Sequence, residues 1–220
     1  VSFKYISSKK PLNDVLGGML MFDGDMSRGN IRQGELDAYK AFDLLDGYSY
    51  AFKKYEKYKI APFEPYCAKK FDAVFSGLPS EGRIEKSGRE SVLSFLRGYD
   101  DRPFEFNSNV LYCAETAADI FGISTREEYT VASLDKLINE SATALITEEY
   151  GTKIDELSEK LDKGLSLDLL KMVANNLDKK FLLAYTLKIL LGDSIEYADK
   201  RRLWLVGDIM PQVFCAALYC

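Results

Sequence analysis

A chain of 220 residues with 47% hydrophobic and 29% charged side chains has the length and the apolar content to bury a core, which sets aside wholesale disorder. It contains no histidine, and that excludes a Ser-His-Asp triad, a Cys-His pair, His-ligated zinc or haem, and an imidazole proton shuttle. The net charge of −5 argues against nucleic acid as the main partner, and it is unevenly spread: residues 1–110 carry 17 basic and 16 acidic side chains, residues 111–220 carry 12 and 18.

Helical spacing dominates, and strand alternation is nearly absent after the first six residues. Residues 1–10 have no apolar core and do not read as a signal peptide. Leu12 to Phe22 reads as a short helix weakened by Gly17 and Gly18. A second helix is expected from Gln33 to Asp46, with Gly47 as its C-terminal cap. Tyr48 to Ile60 continues helically until "APFEP", and Phe63 to Phe75 follows, stopped by the loop "SGLPSEG". Ser87 to Tyr99 is amphipathic through Val92, Leu93, Phe95 and Leu96, and "DDRPFEF" breaks it. Asn107 to Phe121 and Thr125 to Ile146 come next. "TEEYGTKIDELSEKLDKG" keeps Ile154, Leu157 and Leu161 on one face, so it is a surface helix ending at Gly164. After Ser166 to Ala174, the almost wholly apolar Phe181–Leu191 run is too short for a bilayer and is expected to be the central core helix. Ile195 to Met210 and a terminal helix opened by Pro211 complete the chain, the latter docked rather than free because Val213, Phe214, Ala217 and Leu218 recur at helical spacing.

"FDGDMSRGNIRQGEL", Phe22 to Leu36, approaches a calcium-binding loop. Such a loop needs oxygen ligands at alternate positions, a Gly at the turn and a bidentate Glu at the twelfth position. Asp23, Asp25, Ser27 and Glu35 are the candidate ligands, with Gly29 and Ile31 in the right order. Counted from Asp23, however, the spacing is one residue too long, with Arg28 the extra residue, so convergence is spoiled and calcium or another divalent cation would be held weakly or not at all. The leading reading is structural, a turn between two helices. The same grammar recurs as capping boxes at Asn30-x-x-Gln33, Ser124-x-x-Glu127 and Asp193-x-x-Glu196, which satisfy free amides at helix starts.

An acidic loop between helices, recurring near the other end of the chain, resembles the TerB-like (tellurite-resistance) all-helical family. The stretches that carry the resemblance are "MLMFDGDMSRGNIRQGELDAY" and "LKILLGDSIEYADKRRLWL", about a fifth of the chain. The family's two motifs lie closer together, so a long insertion would separate them here. The resemblance implies an all-α, non-enzymatic module with acidic metal-contacting loops, here Asp23, Asp25, Glu35, Asp193 and Asp199.

Other patterns carry less. "YSYAFKKYEKYK", Tyr48 to Lys59, has the composition of a single-strand nucleic-acid groove, but as a helix it would put Tyr48, Phe52 and Tyr55 on one face and Lys53 and Lys57 on another. Tyr55-x-x-x-Lys59 lacks a dinucleotide fold around it, and Ser133-x-x-Lys136 lacks its partner motifs. "YDDRPFEF" gathers acids, an Arg and aromatics, and an Arg bracing a turn accounts for it. Cys67, Cys113, Cys215 and Cys220 form no C-x-x-C and read as buried or free thiols of a reducing compartment.

The expectation is therefore one all-α domain over 1–220, subdivided if anywhere near 76–106. It is an irregular bundle of nine to ten helices around the apolar helix at 177–191. The favoured function is a non-catalytic interaction or scaffold module acting through protein contacts or self-association, without a membrane span and placed in the cytoplasm. The alternative is a metal-dependent enzyme or a small-ligand-binding protein built on carboxylates. It would be marked by two or more carboxylates with raised pKa values facing one cavity.

Overall fold

Gly24 to Ala41 forms one helix, α1. The turn expected at 22–32 is therefore helical from residue 24, and Asn30-x-x-Gln33 lies inside a helix instead of capping one. The computed structural model describes residues 6, 24–76, 83–98, 109–162, 178–192 and 194–220. The helix expected at Leu12–Phe22, the loop "YDDRPFEF", the segment Ser166 to Ala174 and Asp193 lie outside the described residues.

After α1 the chain departs most from a helical reading. Asp43 takes a left-handed backbone (φ 61°) that ends the helix. A hairpin follows, with β1 (Leu45–Asp46) antiparallel to β2 (Ala51–Lys53), so that Leu45 faces Lys53 and Asp46 faces Phe52. Gly47 is not a helix cap. It holds φ 96° in the hairpin turn, where a methyl group would lie 2.4 Å from the Tyr50 carbonyl oxygen. β3 (Glu128–Tyr129) adds parallel to β2. The Tyr48–Ile60 helix is thus replaced by a strand, a left-handed Tyr55 (φ 69°) and a 3₁₀ segment over Glu56–Phe63. Two or three ladder residues per strand leave no alternation to read in the sequence.

The remaining described elements are helical: α2 (Glu64–Phe75), α3 (Arg83–Arg97), α4 (Val110–Phe121), α5 (Val131–Ala144), α6 (Gly151–Asp162), α7 (Lys179–Leu190), α8 (Tyr197–Ile209) and α9 (Pro211–Tyr219), with a short π-helical turn at Leu145–Glu149. The architecture is an all-α, multi-helix fold carrying one small three-stranded sheet. Ser124-x-x-Glu127 precedes β3, and the cap of α5 is instead Thr130. Its hydroxyl oxygen accepts from the Ser133 amide at 3.1 Å, while the Ser133 hydroxyl oxygen accepts from the Thr130 amide at 2.9 Å. That reciprocal pair gives Ser133 of the Ser-x-x-Lys pattern its place.

The apolar run in α7 is buried from Phe181 to Leu187 and again at Leu190. The C-terminal helix α9 shares the centre with it: Val213 to Leu218 are completely enclosed, packed by α2, α3, α4, α7 and α8. Pro211 suits the first turn of α9 because the amide it lacks has no intrahelical partner there. Phe214 meets Phe75 with ring centroids 5.3 Å apart, and Tyr219 stacks on Phe63 at 5.5 Å. Burying Phe214 and Leu218 contributes about 1.5–3 kcal/mol each. Two polar ties align this core. The Trp204 indole N–H donates to the Val74 carbonyl at 2.9 Å, and the Asp208 carboxylate accepts from the Ser87 and Ser91 hydroxyls at 2.6 and 3.1 Å. No helix among the described residues is long and apolar enough to cross a membrane.

Candidate binding cleft

The residues singled out as cation ligands are separated by α1, not gathered by it. Asp23 lies outside the described residues, while Asp25 and Ser27 sit in the first turns of the helix. Ten residue steps of the helix part Asp25 from Glu35, about 15 Å along the axis. Asp25 pairs with Arg28. Glu35 pairs with Arg32 at 2.7 Å and accepts from the Tyr39 hydroxyl at 2.9 Å, bonds that hold its carboxyl below the usual range. Arg32 reaches on to Glu128 in β3 at 3.0 Å, so these charges fasten α1 to the sheet. Asp199 pairs with Arg202 at 2.9 Å. Among the described residues no group of three or more Cys, Asp or Glu side chains is placed to hold a metal ion.

The tyrosine- and lysine-rich stretch likewise breaks up. Lys54 pairs with Asp43 at 2.7 Å, Lys59 pairs with Glu56, and Glu56 also accepts from the Val131 amide at 2.9 Å at the start of α5. Tyr55 and Tyr58 stack on each other at the surface, with ring centroids 6.4 Å apart.

Sequence reasoning passed over Glu115. It lies in the middle of α4, "VLYCAETAADIF", and is only 2% exposed. Its two carboxylate oxygens accept from the backbone amides of Tyr48 and Ser49, each at 2.8 Å. The same turn is gripped from the other side by Lys40, whose ammonium donates to the Tyr48 carbonyl and pairs with Asp37 at 2.9 Å. Burial pushes the Glu115 carboxyl up to about 7 against the opposing effect of the Tyr48 and Ser49 amides and of Lys40. The signal that could have found it is a pair of acids one turn apart, Glu115 and Asp119, in an otherwise apolar and small-residue helix.

Glu115 lies on the wall of a cleft of about 550 Å³ between the hairpin turn, α3, α4 and the starts of α7 and α9. Phe95 and Tyr112 stack there with ring centroids 5.0 Å apart. Tyr48 adds a third ring, Asp119 sits one helical turn beyond Glu115, and Lys179 is exposed at the mouth. Two acidic side chains one turn apart share this cleft with aromatic rings, a combination whose chemistry suits a positively charged group. The carboxylates supply charge and the rings supply polarisable walls.

The four cysteines are free thiols brought near one another across α2, α4 and α9. Burial pushes Cys67 and Cys220 up to about 12. Cys113 is raised by its hydrogen bond with Cys215 and by burial. Such thiols stay protonated at neutral pH. No protein-family model, curated protein or solved structure matches this chain.

Proposed function

We propose that the protein is a non-catalytic helical interaction module whose cleft beside Glu115 receives a basic side chain of a protein partner. The observation that carries this reading is the pairing of Glu115 and Asp119 with the stacked Phe95 and Tyr112 in one cleft of about 550 Å³. A general acid or base must be free to approach the atom it protonates. Glu115 is instead committed through both oxygens to backbone amides, and its remaining lone pairs suit a fixed electrostatic wall. Lys179 at the mouth favours a cationic group that carries a peptide carbonyl beside it over a bare cation.

Titration of the full chain with N-acetyl-arginine methylamide, against the uncharged citrulline analogue, tests the reading. Saturable binding of the arginine compound alone is expected, weakened about tenfold by Asp119→Asn. Equal responses to the two compounds would remove the cationic group from the account.

A further inference from the structure

We propose that a second pocket, between α2 and the turn joining α7 to α8, is an anion site that takes the phosphate group of a small phosphorylated molecule. The pocket encloses about 390 Å³, within the range of small-ligand sites. Lys69 and Lys70 enter it from α2 and Lys200 from α8, and no carboxylate is among the described residues that line it.

Lys70 is the decisive group. It is only 8% exposed. Its ammonium lies 4.2 Å from the centroid of the Tyr66 ring, and its hydrogen bond to the Ala217 carbonyl is long, at 3.5 Å. A buried ammonium is costly unless it is paired, and a carbonyl dipole with one aromatic face compensates little of that cost. Lys40, which is also largely buried, is by contrast paired with Asp37, and the partly buried Lys54 with Asp43. In a protein with 34 acidic side chains, three lysines gathered in a pocket with no acid among its described lining residues are a local reversal of charge.

Two further features fit an oxyanion. Ser194, whose hydroxyl can donate to an oxyanion, lines the pocket with Ile195 just before α8, next to the N-cap residue Glu196. Lysines act as mobile point charges and match the several terminal oxygens of a phosphate without demanding planar geometry. The exposed ring of Tyr66, with Leu190 and Ile195, offers an apolar wall for the body of the ester.

The test is calorimetric titration of the full chain with phenyl phosphate at constant ionic strength, using benzoate and sulfate as comparison anions. Saturable binding of phenyl phosphate is expected, tighter than either comparison. Lys70→Met and Lys200→Met should each weaken it about tenfold or more. Lys70→Met keeps the apolar stem and removes the buried charge, so its ligand-free melting temperature should equal or exceed that of the parent. A lower melting temperature for Lys70→Met with unchanged binding in Lys200→Met would make the lysines purely structural and overturn the site. Equal binding of sulfate and phenyl phosphate would overturn the phosphate assignment. Binding to vesicles containing phosphoinositides without binding to phenyl phosphate would overturn the small-molecule assignment.

Discussion

Gly88 of α3 lies against the backbone of Trp204 in α8 so closely that a methyl group on it would come 2.3 Å from the Trp204 carbonyl oxygen. Gly207, one turn further along α8, faces the Gly88 carbonyl in the same contact, where a methyl group would lie 3.1 Å from the Val92 side chain and 3.3 Å from that carbonyl oxygen. Backbone cannot yield as a side chain can, so Gly88→Ala should destabilise the fold by about 1–3 kcal/mol or more, even though alanine is the better helix former. Gly34 in α1 is the control, because a methyl group there meets nothing within 4 Å and should stabilise by about 0.5–1 kcal/mol. Denaturant unfolding of the two variants checks the contrast; opposite signs are expected.

Removal of core side chains should scale with enclosure. Leu182, 2% exposed in α7, should cost about 2–5 kcal/mol on replacement by alanine, and Phe214 in α9 about 3–5 kcal/mol. Deleting residues 211–220 strips the faces of five neighbouring helices at once, and the truncated chain should lose its cooperative melting transition.

Stability should fall as pH rises from about 4.5 to about 7. The folded-state pKa of Glu115 is raised to about 7 from the model-compound value of 4.5, so the folded protein binds more protons than the unfolded chain between those limits. The contribution is fully present below the lower value and lost as pH passes the upper one, at most about 3 kcal/mol. Glu35 and Glu56, whose carboxyls are lowered, act with the opposite sign below this window. With no histidine in the chain to mask it, and with the raised thiols contributing only toward pH 8 and above, the slope between pH 5 and 7 reports on Glu115. Glu115→Gln should flatten that slope while costing about 1–3 kcal/mol, because its NH₂ group cannot accept from a backbone amide.

The three buried thiols should be silent in the native state. Enclosed in α2, α4 and α9, Cys67, Cys113 and Cys215 should not react with Ellman's reagent at pH 8 until the protein is unfolded, so that at most the partly exposed Cys220 is labelled in the folded chain. Rapid labelling of more than one thiol in the folded protein would show that the core around α9 opens.

The helices that could be read from the sequence are those with apolar faces long enough to show a period. The runs of α2, α4, α7, α8 and α9 fall within a few residues of the expected segments, and α6 keeps Ile154 buried as its stripe requires. The second half of α1, from Gln33, is readable as a helix; its first half was hidden because Gly24 and Gly29 read as turn residues, whereas a helix tolerates them where the contacts of its other residues outweigh their entropy. The hairpin was hidden because its strands are two and three residues long and its left-handed positions, Asp43 and Tyr55, are not glycines. The cleft escaped for a different reason: Glu115 meets Tyr48 and Ser49 across more than sixty residues, a tertiary contact that no local pattern encodes. Lys70 did leave a trace, a cation in the stripe of Cys67, Phe71 and Val74 on α2.

The most direct measurement of the central claim is proton release on binding to the cleft. A cationic group beside Glu115 favours its ionised form and lowers a pKa of about 7. Titration of the full chain with N-acetyl-arginine methylamide at pH 7, in buffers of different ionisation enthalpy, should therefore show net release of a fraction of one proton per molecule bound, abolished in Glu115→Gln. Binding with no release of protons, or with uptake, would contradict a cleft that recognises a basic side chain through Glu115.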